Sequence, residues 1–140
     1  MVTIYHNPKC GTSRNVLGII RAAGIEPTVV DYLATPLDRD ALKALFAKTG
    51  KPTRELLRQS GTPYDDLNLD DPSLTDDELL DFVVRHPILM NRPIVSSARG
   101  TALCRPSETV AALLPAQSLP KTYTKEDGEI ITFAAHGDSQ

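Results

Sequence analysis

"VTIYHNPKCGTSRNVLGIIRAAGIEPTVVDYL", residues 2–33, decides the fold. "VTIY" at 2–5 is a short β-branched and aromatic run, which predicts a strand. "HNPKC" breaks it. From Thr12 a helical pattern begins: Val16, Ile19, Ile20 and Ala23 recur at three- and four-residue spacing, and Gly24 stops it. "PTVVDYL" at 27–33 reads as a second strand. Strand, helix and strand with tight joins make a βαβ unit, hence two parallel strands and an α/β chain.

Working outward, the middle of the chain is helical. Asp38 can cap a helix through "RDALKALFAK", ended by Gly50, and Thr53 can cap a short "RELLRQ" turn, ended by Gly61. "PYDDLNLDDPSL" is a polar connection. Thr75 has Glu78 three residues later, a capping box ahead of "LLDFVVRH", and Pro87 ends that helix. "RPIVSSARGTALCRP" at 92–106 predicts two short antiparallel strands around "SARGT". "SETVAALL" at 107–114 is a last helix, closed by Pro115. The order βαβ then ββα, with a four-stranded mixed sheet, matches a thioredoxin-like or glutaredoxin-like core. The helices at about 38–86 are then an insertion within one domain of residues 1–115. The tail, 116–140, alternates charged and small residues and is expected to be loosely attached.

The 140 residues suit one domain, and 41% hydrophobic residues allow a sizeable core. A net charge of −3 argues against a general nucleic-acid binder. No apolar run approaches the roughly 20 residues that cross a bilayer, and "MVTIYHNPK" lacks the pattern of a signal peptide. The expectation is a cytoplasmic protein whose two cysteines, Cys10 and Cys104, form no permanent disulfide.

Cys10 sits where a helix begins. The first four backbone N–H groups of a helix lack internal partners, and with the helix dipole they favour a thiolate or an oxyanion. Such a setting, with nearby cations, brings a cysteine pKa from about 8.5 to about 3.5–7.5. His6, Lys9 and Arg14 are the local candidates for help, and the Thr12 and Ser13 hydroxyls can donate to the sulfur. "CGTS" places Ser13 where a dithiol oxidoreductase carries its second cysteine. Cys10 cannot close a disulfide within its own turn, so an external thiol such as glutathione or a small redox protein must resolve it.

Arg92–Pro93 and Arg105–Pro106 repeat one device: a residue before proline is pushed into an extended form, which stiffens the backbone carrying each guanidinium. In a thioredoxin-like core the proline opening the third strand is normally cis and the residue before it faces the cysteine loop. Pro93 and Arg92 fit those slots. Guanidinium groups suit tetrahedral oxyanions because they offer paired donors. Arg58, in "LLRQ", carries no local signal and reads as a solvated helix residue. His6, His86 and His136, with two distant cysteines, give no zinc spacing, and no metal is expected. "DDLNLDDPSLTDDE" lacks the glycine of a calcium loop.

"YHNPKCGTSRN", "LLR" at 56–58, "HPILMNRPIV" at 86–95 and "LCRPSE" at 103–108 together closely resemble the glutaredoxin-coupled arsenate reductases, in register from about residue 2 to 115. The resemblance implies a thioredoxin-like fold and reduction of arsenate to arsenite, with glutathione as co-substrate, glutaredoxin as partner and no bound cofactor. It puts the catalytic thiol at Cys10 and implies that Arg58, Arg92 and Arg105 bind the oxyanion. His6 matches a histidine that favours the thiolate, Ser13 the hydroxyl beside it, and Cys104 a cysteine not required for turnover. The phosphatase-like class of arsenate reductase needs Cys-x5-Arg. Here Arg14 follows Cys10 after three residues and position 16 is Val16, so no intramolecular disulfide relay is expected. Two rival readings use the same fold. A redox-responsive regulatory protein usually senses with the Cys-x-x-Cys pair that "CGTS" lacks. A monothiol glutathione-dependent oxidoreductase does not need three arginines.

Overall fold

The computed structural model describes residues 1–133. The chain divides into two compact units, one of residues 1–30 with 92 onward, the other Asp31–Asn91. The first holds a four-stranded mixed sheet in the order β2-β1-β3-β4, from β1 (Thr3–His6), β2 (Thr28–Asp31, where the chain leaves the unit), β3 (Ile94–Ser97) and β4 (Gly100–Leu103). β3 runs antiparallel to both neighbours, with Ile4 opposite Val95 and Val95 opposite Ala102. Helix α1 (Gly11–Ala22) joins β1 to β2, and Ile4, Val16, Ile19, Ile20, Val95 and Val110 are fully buried in one cluster. Each such side chain contributes about 1.5–3 kcal/mol by leaving water. The three- and four-residue spacing seen in the sequence is this buried stripe. Gly24 ends α1 at φ +80, a backbone region glycine enters without penalty.

The Asp31–Asn91 unit reaches further at both ends than the expected insertion at 38–86. Tyr32 is buried there and its hydroxyl donates to the Met90 carbonyl, 3.3 Å. Its helices are α2 (Arg39–Lys48) and α3 (Asp76–Arg85). Asp38 caps α2 by accepting from the Ala41 N–H at 2.8 Å, and Thr75 with Glu78 forms the capping box of α3. Thr53 is not a cap. A single 3-10 turn spans Thr53–Leu56 behind Pro52, and the chain then extends. The reason is a competing set of backbone partners: Leu57 pairs with Met90, Arg58 N–H donates to the Leu89 carbonyl at 2.7 Å, and Asn91 N–H to that of Leu56 at 2.8 Å. The acid-rich connection is held by Arg54, which donates to the carbonyls of Leu69 (2.7 Å) and Asp71 (2.9 Å), and by Tyr64, which donates to Asp70 (2.8 Å).

The segment 107–114 is 3-10 helix over Ser107–Leu113 rather than α-helix. The tail departs more from expectation. β5 (Thr122–Thr124) and β6 (Ile130–Thr132) form an antiparallel hairpin. Leu119, Ile131 and Phe133 are buried in the core cluster of the first unit, with Tyr123 packed against it. A Cβ at Gly18 would collide with the Tyr123 hydroxyl, so glycine in mid-helix is what lets the hairpin seat on α1. Through Phe133 the tail is therefore part of the fold, not a loose appendage. The rest of the expected tail, 134–140 with His136, lies outside the described residues. Among the described residues no helix is long and apolar enough to cross a membrane.

Candidate active site

Cys10 occupies the N-cap position of α1, with extended backbone (φ −98, ψ 123). A turn delivers it there. Its N–H donates to the Asn7 carbonyl at 3.0 Å, the buried Asn7 side chain accepts from the Lys9 N–H at 2.9 Å, and the Arg14 N–H closes the first helical bond on the Cys10 carbonyl at 3.0 Å. The first turn of α1 carries no acidic residue of its own, so the helix start keeps its preference for an anion at Cys10.

The residue is 7% exposed. Burial by itself pushes the thiol up. The Ser13 backbone N–H, the charge of Arg92, and the hydrogen bond and charge of Arg105 outweigh it and leave the Cys10 pKa below its ordinary value. Arg105 Nη1 lies 3.6 Å from Cys10 Sγ and also donates to the Arg92 carbonyl at 3.0 Å, which fixes the guanidinium over the sulfur. The Arg92–Pro93 and Arg105–Pro106 peptide bonds are both cis. Arg92 is half-buried and Arg105 exposed, so the sulfur is flanked by one recessed and one open cation.

The remaining sequence candidates take other places. Ser13 serves the sulfur through its backbone N–H, not its hydroxyl. The hydroxyl accepts from the Asn7 N–H (3.1 Å) and shares a 2.6 Å hydrogen bond with His6 Nδ1, all buried. His6 thereby braces the loop through Ser13. Thr12 is half-buried in the first turn, and Lys9 is exposed. Arg14 bears on the sulfur through its charge, while its hydrogen bonds go elsewhere. Its Nη1 donates to the Pro8 carbonyl at 2.8 Å, and its Nε and Nη2 donate to the two carboxylate oxygens of Glu126 at 2.7 and 2.9 Å. That hydrogen-bonded pair holds the Arg14 pKa up and the Glu126 carboxyl down. Arg58 belongs to the Asp31–Asn91 unit, where its Nε donates to the Ser60 carbonyl at 2.8 Å. Cys104 is a free thiol with no exposure, pushed up to about 12 by burial, and it donates to the Ala102 carbonyl at 3.6 Å.

Sequence reasoning missed Asn7, Asn15 and Glu126. For Glu126 a signal existed: "KEDGE" at 125–129 is a turn between "TYT" and "IIT", two short strand-forming runs.

A thiol whose pKa is lowered at a helix mouth, beside two guanidinium groups, defines the class: a cysteine-based site suited to an oxyanion. The comparisons with known proteins agree with that class. A family model described as the ArsC family matches residues 5–113. An arsenate reductase of Rhizobium meliloti (strain 1021) is 55% identical over 133 residues, covering 95% of this chain and 94% of the relative. One from Escherichia coli is 56% identical over 130 residues, covering 93% and 92%. Among solved structures, the arsenate reductase from Vibrio cholerae aligns with a TM-score of 0.76 at 39% identity, covering 81% of this chain and 97% of that one. The chain belongs to the ArsC family.

Proposed function

We propose that this protein is an arsenate reductase that draws its electrons from glutathione and glutaredoxin. One observation carries the reading: Arg105 Nη1 donates to Cys10 Sγ at the N-terminus of α1, with the Arg92 charge on the same sulfur. The names of relatives more than half identical over almost the whole chain support the substrate. The coupling to glutathione rests on the family resemblance and on the absence of a second cysteine near Cys10 in sequence.

Arsenate enters beside the guanidinium groups, which neutralise its charge. The Cys10 thiolate attacks arsenic, an S–As bond forms, and one oxygen leaves as water after protonation. Glutathione adds to the same arsenic and a second oxygen leaves as water. The glutaredoxin thiolate then attacks the glutathione sulfur. The S–As bond to glutathione breaks, its electron pair stays on arsenic, As(V) becomes As(III), and the two sulfurs leave as a mixed disulfide. Water hydrolyses the remaining Cys10–arsenic bond, releasing arsenite and restoring the thiol. Phosphate has nearly the same shape and charge, so discrimination falls to the redox step, which phosphorus does not undergo with thiols. Arg58 is assigned to the substrate on the resemblance alone. No resident cofactor takes part; glutathione is a co-substrate, and the reduced cytoplasm supplies it.

The test is arsenate-dependent thiol oxidation with purified protein, glutathione and glutaredoxin, against a parallel reaction with thioredoxin alone. Turnover in the first mixture and little in the second is expected. Equal rates overturn the coupling, and no turnover with either overturns the activity. Reduction of protein disulfides in place of arsenate would favour the monothiol oxidoreductase reading.

A further inference from the structure

The hairpin tip reaches both segments that build the site. Glu126 binds Arg14 through both carboxylate oxygens, and its own N–H donates to the buried Asn15 side chain at 3.1 Å. Arg14 in turn holds the Pro8 carbonyl, in the turn that presents Cys10. Lys125, whose side chain is 12% exposed, lies 3.1 Å from Glu108 and 3.1 Å from Glu129. That contact ties the tip to the segment three residues beyond Arg105. Tyr123 over Gly18 and Ile131 in the core fix the hairpin's seat. A guanidinium is a planar fork, so one Arg14 can hold Pro8 and Glu126 together only if both stay in place.

We propose that Glu126 is a positioning residue for the Cys10 nucleophile: through Arg14 it locks the Pro8–Cys10 turn so that the sulfur stays on the Ser13 N–H and under Arg105. This rests on Cys10 being the reactive thiol of the proposed reductase. The charged groups that act on the sulfur are Arg92 ahead of β3, Arg105 after β4 and Arg14 from α1; Lys9 stands exposed beside it in the turn, His6 from β1 lies behind Ser13, and Glu126 from the hairpin lies behind Arg14. A role through charge alone predicts the opposite sign. Removing the carboxylate leaves the Arg14 cation uncompensated, which would favour the thiolate further and lower the pH midpoint of Cys10 reactivity. Release of the turn instead takes the sulfur off its donors and raises the midpoint.

The experiment measures the rate of Cys10 alkylation by iodoacetamide against pH in the full chain, read by mass. Glu126→Ala raises the midpoint by about half a pH unit or more, a loss of about threefold in rate on the acidic side. Glu126→Gln, which keeps an acceptor for Arg14 without the charge, recovers part of that loss. Arg14→Lys, which keeps the charge without the fork, raises the midpoint as Glu126→Ala does, and it decides the matter should Glu126→Ala fail to fold. An unchanged or lowered midpoint in whichever variant decides overturns the proposal. Alkylation needs neither arsenate nor reductant. A chain that alkylates as expected yet turns over no arsenate refutes the proposed function and leaves the positioning role standing.

Discussion

Arg105 and Cys10 stand 95 residues apart in sequence and meet at 3.6 Å, with the Arg92 carbonyl holding the guanidinium in place. Under the proposed function the cation that favours the thiolate also receives the oxyanion. Loss of Arg105 therefore acts twice. Arg105→Ala raises the pH midpoint of Cys10 alkylation and weakens arsenate binding, by about 1.5–3 kcal/mol for charge-assisted bonds. Arg92→Ala does the same. Arg58→Ala weakens arsenate binding alone. Arsenate affinity, measured by protection of Cys10 from alkylation, checks all three; an arginine whose loss changes nothing has no place in the site.

The two cysteines separate cleanly. Cys10→Ser abolishes arsenate turnover, because a hydroxyl at that position is not ionised near neutrality. Cys104→Ala retains most of it, since that sulfur is fully buried and held as the thiol. Coupled turnover of the two variants is the measurement, and equal behaviour contradicts the assignment.

Stability in alkali follows from Cys104. Its pKa is about 12 in the fold and about 8.5 in the unfolded chain. Above about 8.5 the unfolded chain sheds the proton and the folded one keeps it, so stability falls as pH rises through that window toward 12. The loss is about 2 kcal/mol by pH 10. Cys10 has the opposite sign: its lowered pKa adds stability as pH rises from its folded value to the unfolded one. Urea midpoints across pH 8–11 check this. Cys104→Ala flattens the fall, and an unaltered slope contradicts it.

Gly18→Ala tests the seat of the hairpin. Alanine improves helix propensity by about 1 kcal/mol, but its Cβ meets the Tyr123 hydroxyl and ring. Overpacking of this kind costs about 1–3 kcal/mol, and because overlap with the Tyr123 hydroxyl forces the ring to shift, the upper part of that range applies and the net effect is a loss of about 1–2 kcal/mol. Limited proteolysis then cuts near residues 119–122 faster than in the parent chain, and Gly18→Ala with Tyr123→Phe recovers part of the loss.

The parts of the molecule legible in the sequence are those written in local physics. The stripe Val16, Ile19, Ile20 predicts α1 because a helix puts those positions on one face. Thr75 with Glu78, and Asp38, predict helix starts because a cap needs only its own turn. Cys10 before a helix pattern predicts an activated thiol for the same reason. Thr53 misled because Leu57 and Arg58 take backbone partners from residues 89–90, which no local rule reveals. From sequence, Ser13 offers its hydroxyl to the sulfur. Only the folded loop brings His6 and Asn7 onto that oxygen and leaves the N–H for the sulfur. The tail reads as loose because few apolar residues stand among its charges, yet Tyr123, Ile131 and Phe133 are enough to dock it.

The wall around Cys104 gives the protein a built-in clock. A thiol reagent reaches that sulfur only when the centre of the first unit opens, so the native chain gains one adduct promptly and a second at the pace of its own opening. Mass spectra of a single labelling series then report two things at once, the readiness of the site and how often the interior comes apart.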